Sequence, residues 1–185
     1  MTTSADVVNH SLELVAAQTT IAALSDGTPA GNAAGIIYAP TVQMLLRQLD
    51  PDFARTTAAL TPLSFSLFQW PNAYEYPADC MRMRQLSPVV WNPFDPQPLR
   101  FSVQCTVEGT EKFIFATASG LLGIYTTSLV TENQWDSSFE EAVVRQLANP
   151  LAMAIAGRPD FARELLQEAI QYEQMAEKSD ESMAG

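Results

Sequence analysis

YEYPADCMRMRQL, residues 74–86, marks the point where this sequence turns from helix to strand. CMRMRQL alternates, so a two-residue period places Met81 and Met83 on one face and Arg82 and Arg84 on the other, as in a half-buried strand. Pro77 fixes the chain direction just ahead of it, and Asp79 is positioned to bond backbone donors in the turn. A segment that only filled a core would need neither the Tyr74/Tyr76 pair nor exposed arginines. Arg82 and Arg84 therefore carry two readings, a solvated outer face or a surface that meets an acidic neighbour.

Downstream the strand pattern continues. LRFSVQCTV alternates through Phe101, Val103, Cys105 and Val107, Glu108-Gly109 supplies a turn, and KFIFAT returns, which predicts a hairpin. GLLGIYTTSLV adds another strand. Prolines 62, 71, 77, 88, 93, 96 and 98, with Trp70, Trp91 and Phe94 among them, exclude long helices between 62 and 100. These aromatics either cover one side of a sheet or, held rigidly between turns, suit a subunit interface.

The flanks read as helical. Residues 4–23 place Val7, Val8, Leu12, Val15 and Ile21 near helical spacing, with Thr3 or Ser4 as N-cap and Asp6 in the first turn. LSDGTPAGN is a loop, Ala33 to about Gln48 a second helix interrupted by Pro40, and DPDFARTTAAL a short helix capped by Asp50 with Pro51 first. Ser137-Ser138-Phe139-Glu140 forms a capping-box pattern before Phe139, Val143, Leu147, Leu151 and Ile155. That helix should reach Gly157, with a kink at Pro150, and Arg158-Pro159-Asp160 should open a last helix to about Lys178. The expected class is α+β, a bundle of N- and C-terminal helices with an inserted small antiparallel β-sheet. Its expected parts are 1–61, helices; 62–135, the Pro/aromatic segment and sheet; 136–178, helices; and 179–185, a flexible tail.

The formal charge of −11 argues against sequence-independent DNA binding, which depends on clustered Lys and Arg displacing counterions. The chain starts without a basic, apolar leader and holds no run of the ~18 apolar residues a membrane span needs, so a soluble, cytosolic protein with no membrane partner is expected. Cys80 and Cys105 read as free buried thiols, against a disulfide or a reactive thiol. No metal-ligand spacing, nucleophile elbow or phosphate loop is present, His10 sits mid-helix among polar neighbours, and no base accompanies Cys80. No catalytic residue, metal or cofactor is expected. Residues 159–185 hold an acidic excess that includes Glu177, Asp180 and Glu181. It reads as a solvated face or as one that docks on a basic partner.

Taken in order, these features resemble the podophage tail tubular protein A family of head-to-tail adaptors. The resemblance rests on Tyr38-Ala39-Pro40, Leu45-Leu46-Arg47 and Phe53-Ala54, on Tyr74 and Tyr76 leading into Pro77-Ala78-Asp79-Cys80-Met81-Arg82, and on Tyr125, Phe139-Glu140-Glu141-Ala142, Leu147-Ala148 and Leu151-Ala152. It spans nearly the whole chain. It departs at Asp52, where the family often has Trp before the Phe-Ala pair, and at Pro150, where the family's helix continues. The resemblance implies a virion structural protein of the tail and neck, assembled in the host cytoplasm. Such a protein is one subunit of a twelvefold ring that joins the portal protein to a tail nozzle of the tail tubular protein B type and offers a surface to tail fibres. DNA would pass through its channel without specific binding. The partner-interface candidates are Trp70, Tyr74, Tyr76, Arg82, Arg84, Trp91, Phe94, Glu177, Asp180 and Glu181. Another neck or tail-completion protein and a small cytosolic enzyme are the alternative classes.

Overall fold

A computed structural model describes residues 2–89, 99–105, 109 and 111–156. Among these residues three helices and two small antiparallel sheets make a mixed α+β protein. It divides into two compact units, one formed up to Ala54 and again from Val130, the other by Arg55–Leu129.

The first unit holds α1 (Ser4–Leu14), α2 (Pro29–Leu49) and α3 (Ser137–Leu151). Thr3 and Asp6 close a reciprocal capping box at the start of α1. The helix ends at Leu14, well short of residue 23, because Ala16 adopts φ 52. Ala17 N–H then reaches Leu12 O and Ala16 N–H reaches Glu13 O, the paired bonds of a Schellman stop. Ile21 still packs in the core, from a loop held by Asn9, whose side chain accepts from Ile21 N–H at 2.8 Å and donates to Ile21 O at 3.0 Å.

α2 begins four residues earlier than its apolar pattern implied. Thr28 caps it by accepting from Gly31 N–H, and Pro29 supplies a ready-made first-turn φ. Pro40 lies inside α2 without ending it. The carbonyl that its missing N–H would have bonded belongs to Ile36, on the exposed face, where water can satisfy it. Asp50 is the left-handed C-cap of α2, so the short helix expected after it is absent; Asp52–Ala54 makes one 3₁₀ turn and a strand follows.

α3 is capped by Asp136, one residue ahead of the Ser137 box, through a 2.7 Å bond from Phe139 N–H. Its expected stripe, Phe139, Val143, Leu147 and Leu151, is buried throughout. Pro150 lies inside α3, and the chain continues as a π-helical turn, Ala152–Ala156, in place of further α-helix. Gly157, the helix expected over 158–178 and the tail 179–185 lie outside the described residues. All three helices meet in one apolar core around Val8, Leu12, Leu45, Leu46, Phe139 and Val143, where Phe53 and Trp135 stack edge-on against Phe139.

Among the described residues the second unit contains seven strands: β1 (Arg55–Ala59), β2 (Pro62–Leu63), β3 (Asn72–Glu75), β4 (Cys80–Pro88), β5 (Phe101–Cys105), β6 (Lys112–Ala116) and β7 (Leu121–Thr127). They form two sheets where one was expected, ordered β1-β7-β4 and β2-β3-β6-β5. Leu60, Met83, Leu86, Leu121 and Tyr125 pack with Tyr74, Ile114 and Ala116 in a shared core. The predicted β5–β6 hairpin is present, with Gly109 at φ 69 between its strands.

β4 departs from simple alternation. Its pairing with β7 skips at Met81 and again at Arg84, and each bulge advances the side-chain phase by one residue. The buried set is therefore Cys80, Met83 and Leu86, spaced by three, while Met81 and Arg84 are half-buried and Arg82 is exposed. The two arginines thus do not share one solvated face. On β5, an edge of its sheet among the described residues, Val103 and Cys105 are exposed, so Cys105 is not the buried thiol expected.

Candidate interaction surface

The stretch that opens β4 is organised around Asp79. Its carboxylate accepts from Thr127 Oγ1 at 2.6 Å and from Tyr125 Oη at 3.1 Å, and its backbone carbonyl accepts from Ser128 N–H at 2.9 Å. Asp79 thus ties the start of β4 to the end of β7. Burial, the Asp79 hydrogen bond and the nearby Asp79 charge push Tyr125 up to about 12, so it remains a donor across the physiological range. In the helical unit Tyr38 donates to Glu132 at 2.8 Å, and its hydroxyl is raised above the ordinary phenol range, first by burial and then by that bond.

The interface candidates meet different fates. Tyr74 is buried inside the sheet unit, where its hydroxyl donates to Ala118 O at 3.0 Å, so it offers no surface. Arg84 is half-buried and donates from Nε to the Oγ1 of buried Thr126 at 3.0 Å, which makes it a strand-pinning group. Arg82 is exposed. Tyr76 is half-buried with the Lys112 ammonium 5.4 Å from its ring centre. Trp91, Phe94, Glu177, Asp180 and Glu181 lie outside the described residues.

Trp70 belongs to a feature that sequence reasoning passed over. Between β2 and β3, Leu67 and Trp70 exchange two backbone hydrogen bonds, 3.0 and 2.8 Å, and turn the chain at Phe68-Gln69. Phe65 folds against Phe113, with ring centres 5.1 Å apart, and so anchors the hairpin base to β6. The tip projects: Phe68 is fully exposed, and Phe65 and Leu67 are each exposed by about two-fifths. The available signal was the run from Thr56 to Tyr74, which contains no charged residue yet carries Leu, Phe and Trp between two prolines.

Beside the hairpin base lies an open cleft of about 610 Å3, lined by Leu63, Tyr76, Pro77, Cys80, Lys112 and Phe113, with Glu75 and Glu111 also along it. Burial pushes the Cys80 thiol up, outweighing the hydrogen bond from Tyr76, so thiolate is scarce there at neutral pH. Cys80 is a wall of the cleft with little nucleophilic character. His10 is exposed on α1. Among the described residues no three His, Cys, Asp or Glu side chains gather closely enough to hold a metal ion, and no helix is long and apolar enough to cross a membrane. Compared with models of known protein families and with curated proteins, the chain matches none.

Proposed function

We propose that this chain is a subunit of a phage head-to-tail adaptor of the tail tubular protein A type, assembled as a twelvefold ring between portal and tail nozzle. The arrangement proposed with it is a helical bundle drawn from both ends of the chain, with the β region inserted between them in sequence. One observation supports the reading: most of the apolar residues that bear the resemblance lie in the two cores. Leu45, Leu46, Ala54, Phe139, Ala142, Leu147, Ala148 and Leu151 are all buried, Tyr38 is bonded to Glu132, and Asp79 and Tyr125 are bonded to each other. The resemblance also takes in exposed positions, among them Ala39, Pro40, Arg47, Ala78 and Arg82, so it is the buried subset that supports the reading. The charge suits the duty, because an acidic wall repels phosphate and lets DNA slide through a channel without sticking.

The proposal is tested by locating the chain in particles. An antibody against it, imaged on virions of the phage that encodes it, should mark the head-tail junction. Label on the capsid faces or on the fibre tips, or its absence from purified virions, would refute the adaptor reading.

A further inference from the structure

We infer that the β unit, Arg55–Leu129, opens and refolds separately from the helical unit, and that each is closed beside the Leu129-Val130 crossing by a polar clasp of its own. This holds whatever the chain assembles with. Among the described residues the apolar core of the helical unit draws only on positions up to Ala54 and from Val130 onward, and that of the β unit only on positions between them. Residues that share buried apolar contact lose it together, so two cores without a common member make two cooperative units.

The ends of the β unit hold each other. The chain enters it on β1 and leaves it on β7, and these strands are antiparallel neighbours with Arg55 opposite Thr126. An insert whose ends are already paired needs nothing outside itself to bring them together. Asp79 seals the exit: its carboxylate accepts from Thr127 Oγ1, its carbonyl accepts from Ser128 N–H, and Thr127 Oγ1 in turn accepts from Leu129 N–H at 3.1 Å. One residue later the partners change. Val130 packs against the helical core, and Glu132 accepts from Tyr38 Oη at 2.8 Å, a bond that joins positions 94 apart in sequence. Residues 127–129 are thus bonded within the β unit, and 130–132 belong to the helices. At the first crossing the change is as sharp, since Ala54 is fully buried in the helical core and Arg55 begins β1. With α1 and α2 meeting α3 in one core and Tyr38 bonded to Glu132, the helical unit closes across the gap that the insert leaves in its sequence.

The test is native-state hydrogen exchange on the full chain in sub-denaturing urea, read at two sets of amides. Ile114 and Tyr125 report the β unit, and Leu46 and Val143 report the helices; all four are buried. Asp79→Ala strands the buried hydroxyls of Tyr125 and Thr127, so it should speed exchange in the first set on the order of tenfold and leave the second set unchanged. Asp79→Asn, which keeps one acceptor oxygen, should speed the same set by less, and it carries the test if the alanine variant fails to fold. Tyr38→Phe removes the helical clasp and should give the reverse pattern, faster exchange at Leu46 and Val143 with Ile114 and Tyr125 unmoved. Substitutions at both clasps that speed both sets alike would overturn the separate units. Substitutions that speed neither set would overturn the clasps.

Discussion

The Thr127 hydroxyl donates to the Asp79 carboxylate at 2.6 Å and thereby fastens the last residue of β7 to the residue that precedes β4. Tyr125 adds a second donor to the same carboxylate. Asp79→Ala removes the acceptor for both hydroxyls, and Tyr125 and Thr127 are themselves buried, so the cost is that of stranding buried donors, about 1–3 kcal/mol. Asp79→Asn keeps one oxygen and should cost less. Urea midpoints of the two variants check the order; an Asp79→Ala midpoint equal to the parent's would show the tie to be idle.

The tyrosines set the alkaline limit. Tyr125 is raised from 10.0 to about 12, and Tyr38 and Tyr74 are raised as well, with burial the first cause in each. A phenol whose folded value exceeds its unfolded one binds its proton more tightly in the fold. Its contribution is complete below pH 10 and is lost as pH climbs through the folded value. Stability should therefore hold level with respect to these groups up to about pH 10 and fall between there and about 12, and Tyr125→Phe should lessen the slope. Phenolate absorbance during a pH titration reads the same groups directly, and ordinary titration of all tyrosines in the folded protein would contradict this.

Much of the helical unit could be read from the sequence. Val7, Val8, Leu12, Phe139, Val143, Leu147 and Leu151 recur at helical spacing, and burial against a common core is what that spacing serves. Helix ends were harder to place. Pro29, Gly31 and Asn32 resemble loop residues by composition, while their effect here comes from position, with Pro29 first in the helix and Thr28 bonding Gly31 N–H. At Gly31 a Cβ would collide with Asp26 Oδ1, so this glycine is fixed by close packing that no local pattern announces. The β4 bulges were equally hidden. Met81 and Arg84 are extra residues only relative to β7, and pairing register is a property of two strands. Of the site, Trp70 was legible as an aromatic among prolines. Phe68 was not, because its exposure comes from the Leu67–Trp70 turn and not from its own identity.

Ala16 occupies the left-handed stop of α1, where a Cβ is unfavourable. Its side chain is exposed, so Ala16→Gly relieves the backbone and loses no packing. The variant should gain up to about 1 kcal/mol, less what glycine adds to the freedom of the unfolded chain. A raised thermal midpoint is the expected result, and a lowered one would contradict the strained stop.

The two thiols should separate cleanly. Cys105 is exposed on edge strand β5, whereas Cys80 is buried with its thiol pushed up. A thiol reagent at neutral pH should label Cys105 rapidly in the folded protein, and Cys80 should follow only on unfolding. Fast labelling of Cys80 in the native state would reopen cysteine chemistry at the cleft.

Assembly decides the central claim. Closing twelve copies at −11 each would gather more than a hundred formal negative charges, a repulsion that opposes ring closure without a template. The free chain should therefore scatter light as a monomer and form rings only on the portal. The measurement is electron microscopy of the purified protein before and after addition of the portal protein of the same phage. The account predicts no rings in the first sample and a twelvefold ring seated on the portal in the second. Stable rings without portal would contradict templating, and no association with portal would contradict the adaptor function itself.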